Sequence, residues 1–376
     1  MSAAAQSLLP TESFKLGFKD QVFELKTETL KSSSGNFSLP QSSNIVEPKR
    51  TQEDLENLMI KKTGPKQNFS LRFDHDPAAI FNFVENTANA VEKPVTEPIL
   101  KIEKNFVTEF VPPSDGVSVD RVQATLEILK SLKQKTASSS LVYFSTSPTK
   151  KLSEINNLGI QELIAQGTSN FKGSPKNRKH NIKVGVEKFK GLIIKQGEEF
   201  SFNKYLGPVE KEAGFLPELV IKKSGTVPEL GGGLCQVSST TFRAAMEAGL
   251  PITQRKNHSY AVQYYAPQGT DATIYPGVID LKFKNDTPGD ILVWPYFLEG
   301  DILKFDFYGT KDSRTVTLNK PYQYDRKTDG SMKAEWTRIV TKDGTTSTST
   351  FKSVYLSPAL FHKEEQFVTA PTPANP

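Results

Sequence analysis

Apolar residues along the chain change their spacing several times, and each change marks an element. Short alternating stretches at Lys15–Phe18 and Val22–Leu25 predict strands, and Lys31–Glu47, rich in Ser, Asn, Gln and Pro, predicts a loop. Asp76-Pro77 pairs an N-cap with a proline at the first helical position, and Ile80, Phe81, Val84, Ala88 and Val91 follow at helical spacing until Pro94 and Pro98 stop the helix. Ile99–Phe110 predicts a strand and Pro112-Pro113-Ser114-Asp115-Gly116 a turn. A second helix fits Ser118–Leu132, with Val122, Leu126, Leu129 and Leu132 on one face, and Leu141–Phe144 predicts a further strand. The polar stretch from Thr146 to Asn157 marks a domain boundary.

Beyond it, Asn181–Leu192 predicts a helix and Glu199–Phe202 a strand. Gly231-Gly232-Gly233 predicts a sharp turn into a helix over Cys235–Ala248, which Gly249 and Pro251 close. Strands are expected at His258–Tyr265, Ala272–Tyr275 and Val278–Phe283, then a hairpin of Ile291–Phe297 and Ile302–Tyr308 turning at Glu299-Gly300-Asp301. Residues 311–355 read as β ribbon with turns at Asp329-Gly330 and Asp343-Gly344, and the Pro/Ala-rich Thr369–Pro376 as a disordered tail. The fold class is therefore α+β in two domains: a first over 11–150, and a second over 158–312 whose cysteine-bearing helix packs on an antiparallel sheet. A β-rich extension over 313–356 and a tail over 357–376 follow.

Composition narrows the function. With 36% hydrophobic residues, including 24 Phe and 11 Tyr, the chain can bury a substantial core. A net charge of +5 over 376 residues, without interleaved cations and aromatics, gives no footprint for nucleic acid. No apolar run reaches the ~18–20 residues of a membrane span. The single cysteine excludes an intramolecular disulfide and any multi-cysteine metal centre. Met1–Leu9 has neither the basic flank nor the apolar core of an export signal. A cytoplasmic protein and an exported one supplied without its leader or anchor both fit that start.

The sharpest chemical feature is Gly231–Ser239, GGGLCQVSS. Glycines let the backbone turn tightly, and a cysteine in the first helical turn meets unpaired N–H groups and the positive end of the helix dipole. That setting favours thiolate over thiol, and the same N–H groups at Cys235 and Gln236 can hold an oxyanion. A small buried hydrophobe is the bland alternative for Cys235. His258 shares strand parity with Tyr260, Val262 and Tyr264; such a histidine is either a satisfied core residue or the base of the cysteine. Asp280 alternates with Ile279 and Leu281 and is expected to face solvent, which leaves Asp271 to orient His258. A metal site of Cys235, His258 and Asp271 uses the same residues but has no second cysteine or paired histidines behind it. Residues 172–195 are strongly basic; most of these lysines read as a solvated face, while Arg178 and Asn181, at the helix start, are candidates to meet a substrate.

At these residues the sequence resembles the VanW family, named for a protein of vancomycin-resistance clusters. The resemblance spans residues 166–310 and rests on RKHN (178–181), GEEFSFNKYLGP (197–208), GGGLCQVSS (231–239), NHSYAVQYY (257–265), GTDAT (269–273) and DLKFKN (280–285). Residues 15–150 are similar in pattern to the peptidoglycan-binding domain that often precedes it. The resemblance implies a bacterial protein, anchored by an N-terminal segment absent from this chain, that faces the cell wall and has peptidoglycan or its stem peptides as partner; no cofactor and no metal are expected. It extends the candidate substrate contacts from Arg178 and Asn181 to Gly231, Gly232, Gly233, Gln236, Ser238, Ser239 and Tyr260. The order of a Cys-bearing helix, Gly249-Leu250-Pro251, a His strand and an Asp strand is also similar to the layout of transglutaminase-like cysteine enzymes. Two functions follow as expectations: a cysteine-dependent amide hydrolase or transferase using Cys235, His258 and Asp271, or a non-catalytic peptidoglycan-binding or scaffold protein linked to wall maintenance or glycopeptide resistance.

Overall fold

The computed structural model describes residues 13–26, 28, 30, 33–34, 72–73, 75–104, 106–222 and 225–361. The loop expected at Lys31–Glu47 lies outside the described residues except at Ser33–Ser34, as does the expected tail beyond Phe361. Two compact units emerge: one from residues up to 97 with 113–149, the other from 98–112 with 150 onward. Among the described residues no helix is long and apolar enough to cross a membrane.

The first unit contains β1 (Ser13–Phe18), β2 (Gln21–Lys26), the short pair β3 (Ser33–Ser34) and β4 (Arg72–Phe73), and α1 (Pro77–Val91). Asp76 caps α1 by accepting from the Ala78 N–H at 2.9 Å, and Ile80, Val84, Ala88 and Val91 are buried at the spacing the sequence shows. The expected strand at Ile99–Phe110 is instead a hairpin, β5 (Ile99–Glu103) and β6 (Phe106–Val111), with Lys104 in the left-handed region at φ 48°. The turn carries no Gly or Pro to mark it, and this hairpin belongs to the second unit. The first unit resumes with β7 (Gly116–Val119), α2 (Arg121–Lys133), β8 (Ser138–Ser140) and β9 (Tyr143–Thr146). β1 lies between β2 and β8, and β7 pairs with β9. Phe14, Leu16, Ile80, Val84, Ile128 and Leu132 fill one core, while Arg121 joins the helices by reaching Glu85 at 2.7 Å and Glu92 at 2.8 Å.

In the second unit, β10 (Glu162–Asn170) is followed by α3 (Lys176–Glu187), β11 (Leu192–Ile194), β12 (Glu199–Ser201), α4 (Phe202–Leu206), the hairpin β13 (Pro217–Lys222) and β14 (Gly225–Leu230), and α5 (Leu234–Glu247). Then come β15 (Ile252–Gln254), β16 (Lys282–Lys284), β17 (Ile291–Leu298), β18 (Ile302–Gly309) and the ribbon strands β19 (Thr315–Leu318), β20 (Tyr322–Tyr324), β21 (Met332–Lys342) and β22 (Thr345–Tyr355). The main sheet is antiparallel throughout, in the order β10-β18-β17-β11-β6-β5. α3 starts five residues before the expected Asn181, after Pro175, because basic first turns hide helical periodicity; Gly191, at φ 79°, turns the chain into β11. Phe202 opens α4, capped by the Ser201 hydroxyl, rather than closing the expected strand.

α5 is the centre of this unit. Val237, Phe242, Ala244, Ala245 and Met246 are fully buried against β10, β18 and α3. Close packing on β10 requires Gly167, where an added Cβ would overlap the Thr240 carbonyl and crowd the Ala244 backbone. Gly167→Ala therefore forces two backbones apart, and thermal denaturation is expected to show a loss of about 3 kcal/mol or failure to fold, the upper range for overpacking. The ribbon joins the same core: Phe242 packs edge-on against Trp336 and Phe351, at ring-centroid distances of 5.7 Å each.

The largest departure lies between α5 and β16. The expected strands at His258–Tyr265 and Ala272–Tyr275 are loop, with one 3-10 turn at Gln263–Tyr265, and the strand expected at Val278–Phe283 is reduced to β16. Here backbone groups bond across the loop and to side chains instead of to a neighbouring strand: the His258 N–H donates to Asp271 at 2.8 Å and the Thr273 N–H to Lys256 O at 2.8 Å. Without a strand, alternation no longer sets direction. Asp280, expected in solvent, is buried and accepts from the Ser201 hydroxyl at 2.6 Å and the Asn203 N–H at 2.9 Å.

Candidate functional site

The chain arrives at α5 through the three glycines. Gly233 is the N-cap at φ 114°, a conformation L side chains rarely adopt. Gly232 is pressed against the β13 backbone at Glu218 and Leu219, and its carbonyl accepts from the Asn181 amide at 3.0 Å. This clamp sets Cys235 at the second helical position, where the dipole favours negative charge. Cys235 as a residue is half-buried, with its thiol turned inward. The Thr273 hydroxyl lies 3.5 Å away and the Ile274 N–H donates to it at 3.5 Å; as a thiol it donates to Ile274 O at 3.6 Å.

His258 and Asp271, both 4% exposed or less, approach from the loop after α5. Asp271 Oδ2 meets His258 Nδ1 at 2.6 Å, so Nδ1 carries the proton toward the carboxylate and Nε2 is left facing away from it. Nε2 is buried with no hydrogen-bond partner of its own. The other oxygen, Oδ1, accepts from the Tyr355 hydroxyl at 2.6 Å and from Arg255 at 3.2 Å. Tyr265 stacks on the imidazole, ring centroids 4.0 Å apart and planes 13° from parallel.

Charge is distributed accordingly. Burial pushes the Cys235 thiol up, but the neighbouring His258, with Thr273 and the Ile274 N–H, outweighs it and holds the thiol below its ordinary value. Burial pulls His258 down, yet Asp271 and Cys235 raise it to about 9. Burial would raise Asp271, but His258 and Arg255 keep its carboxyl well below the usual carboxylate range. The lowered thiol and the raised imidazole both shift the pair toward a thiolate beside an imidazolium, with the carboxylate of Asp271 bracing the ring. Because Asp271 engages Nδ1 on the far side of the ring, the three side chains do not converge on one point, and among the described residues no group of three or more His, Cys, Asp or Glu is placed to hold a metal ion.

Cys235, His258, Arg178 and Gly231–Gly233 line one cavity of about 580 Å³, with Leu219, Leu230, Tyr275 and Ile279 among its apolar walls. The other expected contacts sit elsewhere. Asn181 is fully buried, its amide bonded to the Leu216 and Gly232 backbones. Gln236 is buried and bonds to Arg178 at 3.0 Å, and its N–H, expected at an oxyanion, donates to Gly233 O at 2.9 Å. Ser238 and Ser239 are buried within α5, Ser239 bonding the Ala272 backbone. Tyr260 packs its ring near Phe361 at 5.2 Å and does not line the cavity. These side chains support the loop and helix. Sequence reasoning missed Arg255, Tyr265, Thr273 and Tyr355. Tyr265 and Thr273 lie within motifs already singled out and Arg255 two residues before one, but Tyr355 sits 84 residues beyond Asp271 in a ribbon with no local signature.

Residues 177–308 match the family model described as VanW like protein, and residues 40–139 the model described as "Putative peptidoglycan binding domain". Among curated proteins, the chain is similar to "Uncharacterized protein YoaR" of Bacillus subtilis (strain 168), with 37% identity over 132 residues, 35% of this chain and 43% of that protein. It is also similar to "Vancomycin B-type resistance protein VanW" of Enterococcus faecalis (strain ATCC 700802 / V583), with 33% identity over 123 residues, 31% of this chain and 44% of that protein. The chain thus spans less than half the length of either relative. No solved structure matches it. Tyr355 and the whole ribbon fall outside the matched VanW-like segment.

Proposed function

Since the chain carries a VanW-like domain preceded by a peptidoglycan-binding domain, we propose that it acts on the cell wall and that its VanW-like domain breaks or exchanges amide bonds of peptidoglycan stem peptides through Cys235. The observation that carries this reading is that Cys235 and His258 line one cavity, with Asp271 Oδ2 held 2.6 Å from His258 Nδ1. The Cys235 thiolate forms a bond to the amide carbonyl carbon, and the Cys235 N–H, which has no acceptor among the described residues, faces the developing oxyanion. The C–N bond breaks as the His258 Nε2 proton passes to the leaving nitrogen. Water then attacks the thioester, giving its proton to His258 and releasing the acid and the thiolate; an amine in place of water gives a new amide. Asp271 stays ionised and fixes the ring. The chain order Cys, His, Asp is that of transglutaminase-like cysteine enzymes, although His258 and Asp271 here lie on loops. One relative's name, a vancomycin B-type resistance protein, fits a site acting on this polymer.

The test is turnover of purified sacculi and muropeptides by the full chain, followed by release of amines. Cys235→Ala is expected to lower the rate by about a thousandfold or more, as loss of a covalent nucleophile does. Unchanged turnover in that variant would refute the nucleophile, and sacculus binding without turnover in the parent chain would favour the non-catalytic binding protein.

A further inference from the structure

Arg178 brings a positive charge to the cavity that the fold holds without neutralising. It is 6% exposed, yet its hydrogen bonds go to neutral acceptors: Nη1 to the Ser174 hydroxyl at 2.7 Å, and Nη2 to Gln236 Oε1 at 3.0 Å and the Tyr265 hydroxyl at 3.5 Å. Its guanidinium lies 4.1 Å from the centre of the Tyr264 ring. No carboxylate among the described residues pairs with it. The cavity's own carboxylate, Glu229, accepts from the Tyr275 hydroxyl at 3.3 Å. A buried cation among neutral groups is costly to hold and gains from an incoming anion, and a planar guanidinium is shaped for a carboxylate.

Its position relative to the nucleophile is also defined. A Cβ on Gly233, two residues before Cys235, would stand 3.0 Å from Arg178 Cγ, and Gln236, which takes the guanidinium bond, directly follows Cys235. The Tyr265 ring that stacks on His258 at 4.0 Å has its centre 5.9 Å from Arg178 Cζ, so a single ring separates imidazole from guanidinium. Arg178 and Cys235 line the same cavity, so a carboxylate held at Arg178 belongs to the same short peptide whose amide is positioned at Cys235.

Resting on the cysteine reading above, we infer that Arg178 is a specificity-determining residue that receives a free C-terminal carboxylate. The substrate class is then peptide ends, cleaved or exchanged near their C-terminus, rather than bonds inside a continuous chain.

Cys235 alkylation by iodoacetate and by its neutral isostere iodoacetamide tests this on the full chain at pH 7, with N-acetylcysteine as reference thiol. The iodoacetate-to-iodoacetamide rate ratio is expected to exceed that of the reference and to fall about tenfold in Arg178→Met, the scale of a charged hydrogen bond, while Arg178→Lys keeps most of it. In the parent chain, N-acetyl-alanyl-alanine should protect Cys235 at about tenfold lower concentration than its carboxamide. A ratio unmoved by Arg178→Met, or equal protection by acid and amide, overturns the carboxylate assignment and leaves the nucleophile standing. If Arg178→Met does not fold, the acid–amide comparison decides alone. A Cys235 no more reactive than N-acetylcysteine toward both reagents refutes the cysteine reading itself.

Discussion

Replacing His258 with alanine is expected to return Cys235 to an unprimed, buried thiol. In the parent chain the midpoint of iodoacetamide alkylation against pH should lie below the ordinary ~8.5, because the imidazolium outweighs burial. Without the ring, burial remains and the midpoint moves above ~8.5. A thiol at that value is only ~3% ionised at pH 7, and one above it less. The greater intrinsic nucleophilicity of a more basic thiolate recovers part of the difference, so the rate at pH 7 should fall about tenfold. The pH profile separates priming from chemistry. The thiolate exists above the lowered cysteine value and the imidazolium below about 9, so the pair occupies the window between. Alkylation needs only the thiolate and should stay high above pH 9. Amide turnover also needs the His258 proton for the leaving nitrogen, so it should be bell-shaped, its upper limb near 9, with both limbs belonging to the coupled pair. An alkylation midpoint that does not move in His258→Ala would remove the imidazole from the argument.

Legibility followed local determinism. Asp76-Pro77, the glycines before α5 and the Glu299-Gly300-Asp301 turn act through their own backbone geometry, and the elements they delimit stand where the sequence puts them. Cys235, His258 and Asp271 could be chosen for the same reason, since a Gly-capped cysteine narrows its partners to the few titratable residues downstream. What failed was direction inferred from alternation. Residues 258–275 alternate like strands, yet Tyr265, Ile274 and Tyr275 line a cavity, Tyr265 stacks on the imidazole, and the backbone is bonded to side chains. Asp280 was misdirected by the same logic. Tyr355 was illegible because its role arises only when the ribbon folds back on the loop, a contact with no trace in local spacing.

Asp271→Ala is expected to be the most damaging single change in the site. It strips the buried His258 and Arg255 of their shared partner, and leaving buried charges unpaired costs about 3–5 kcal/mol, measurable by urea denaturation. The cost should depend on pH with a definite sign. Asp271 is depressed, so its contribution is present above about pH 4 and lost as the pH falls below it. His258 is raised, so its contribution is full below ~6.5 and lost as the pH rises through about 9. The stability gap between parent and variant should therefore be widest between about pH 4 and 6.5 and shrink on either side. Tyr355→Phe dissects the brace more finely, because the ring stays buried and only the hydroxyl on Oδ1 goes. About 1 kcal/mol should be lost. If Tyr355 and Arg255 fix the carboxylate by occupying Oδ1, the freed carboxylate turns, and the His258 titration followed by NMR should drop from about 9 toward the ordinary ~6.5. If the hydroxyl merely draws charge from Asp271, its loss makes the carboxylate more basic and the His258 value rises instead. A fall makes the C-terminal ribbon, outside the VanW-like segment, a positioning part of the site; a rise limits it to an electrostatic influence on Asp271, and no change reduces it to packing.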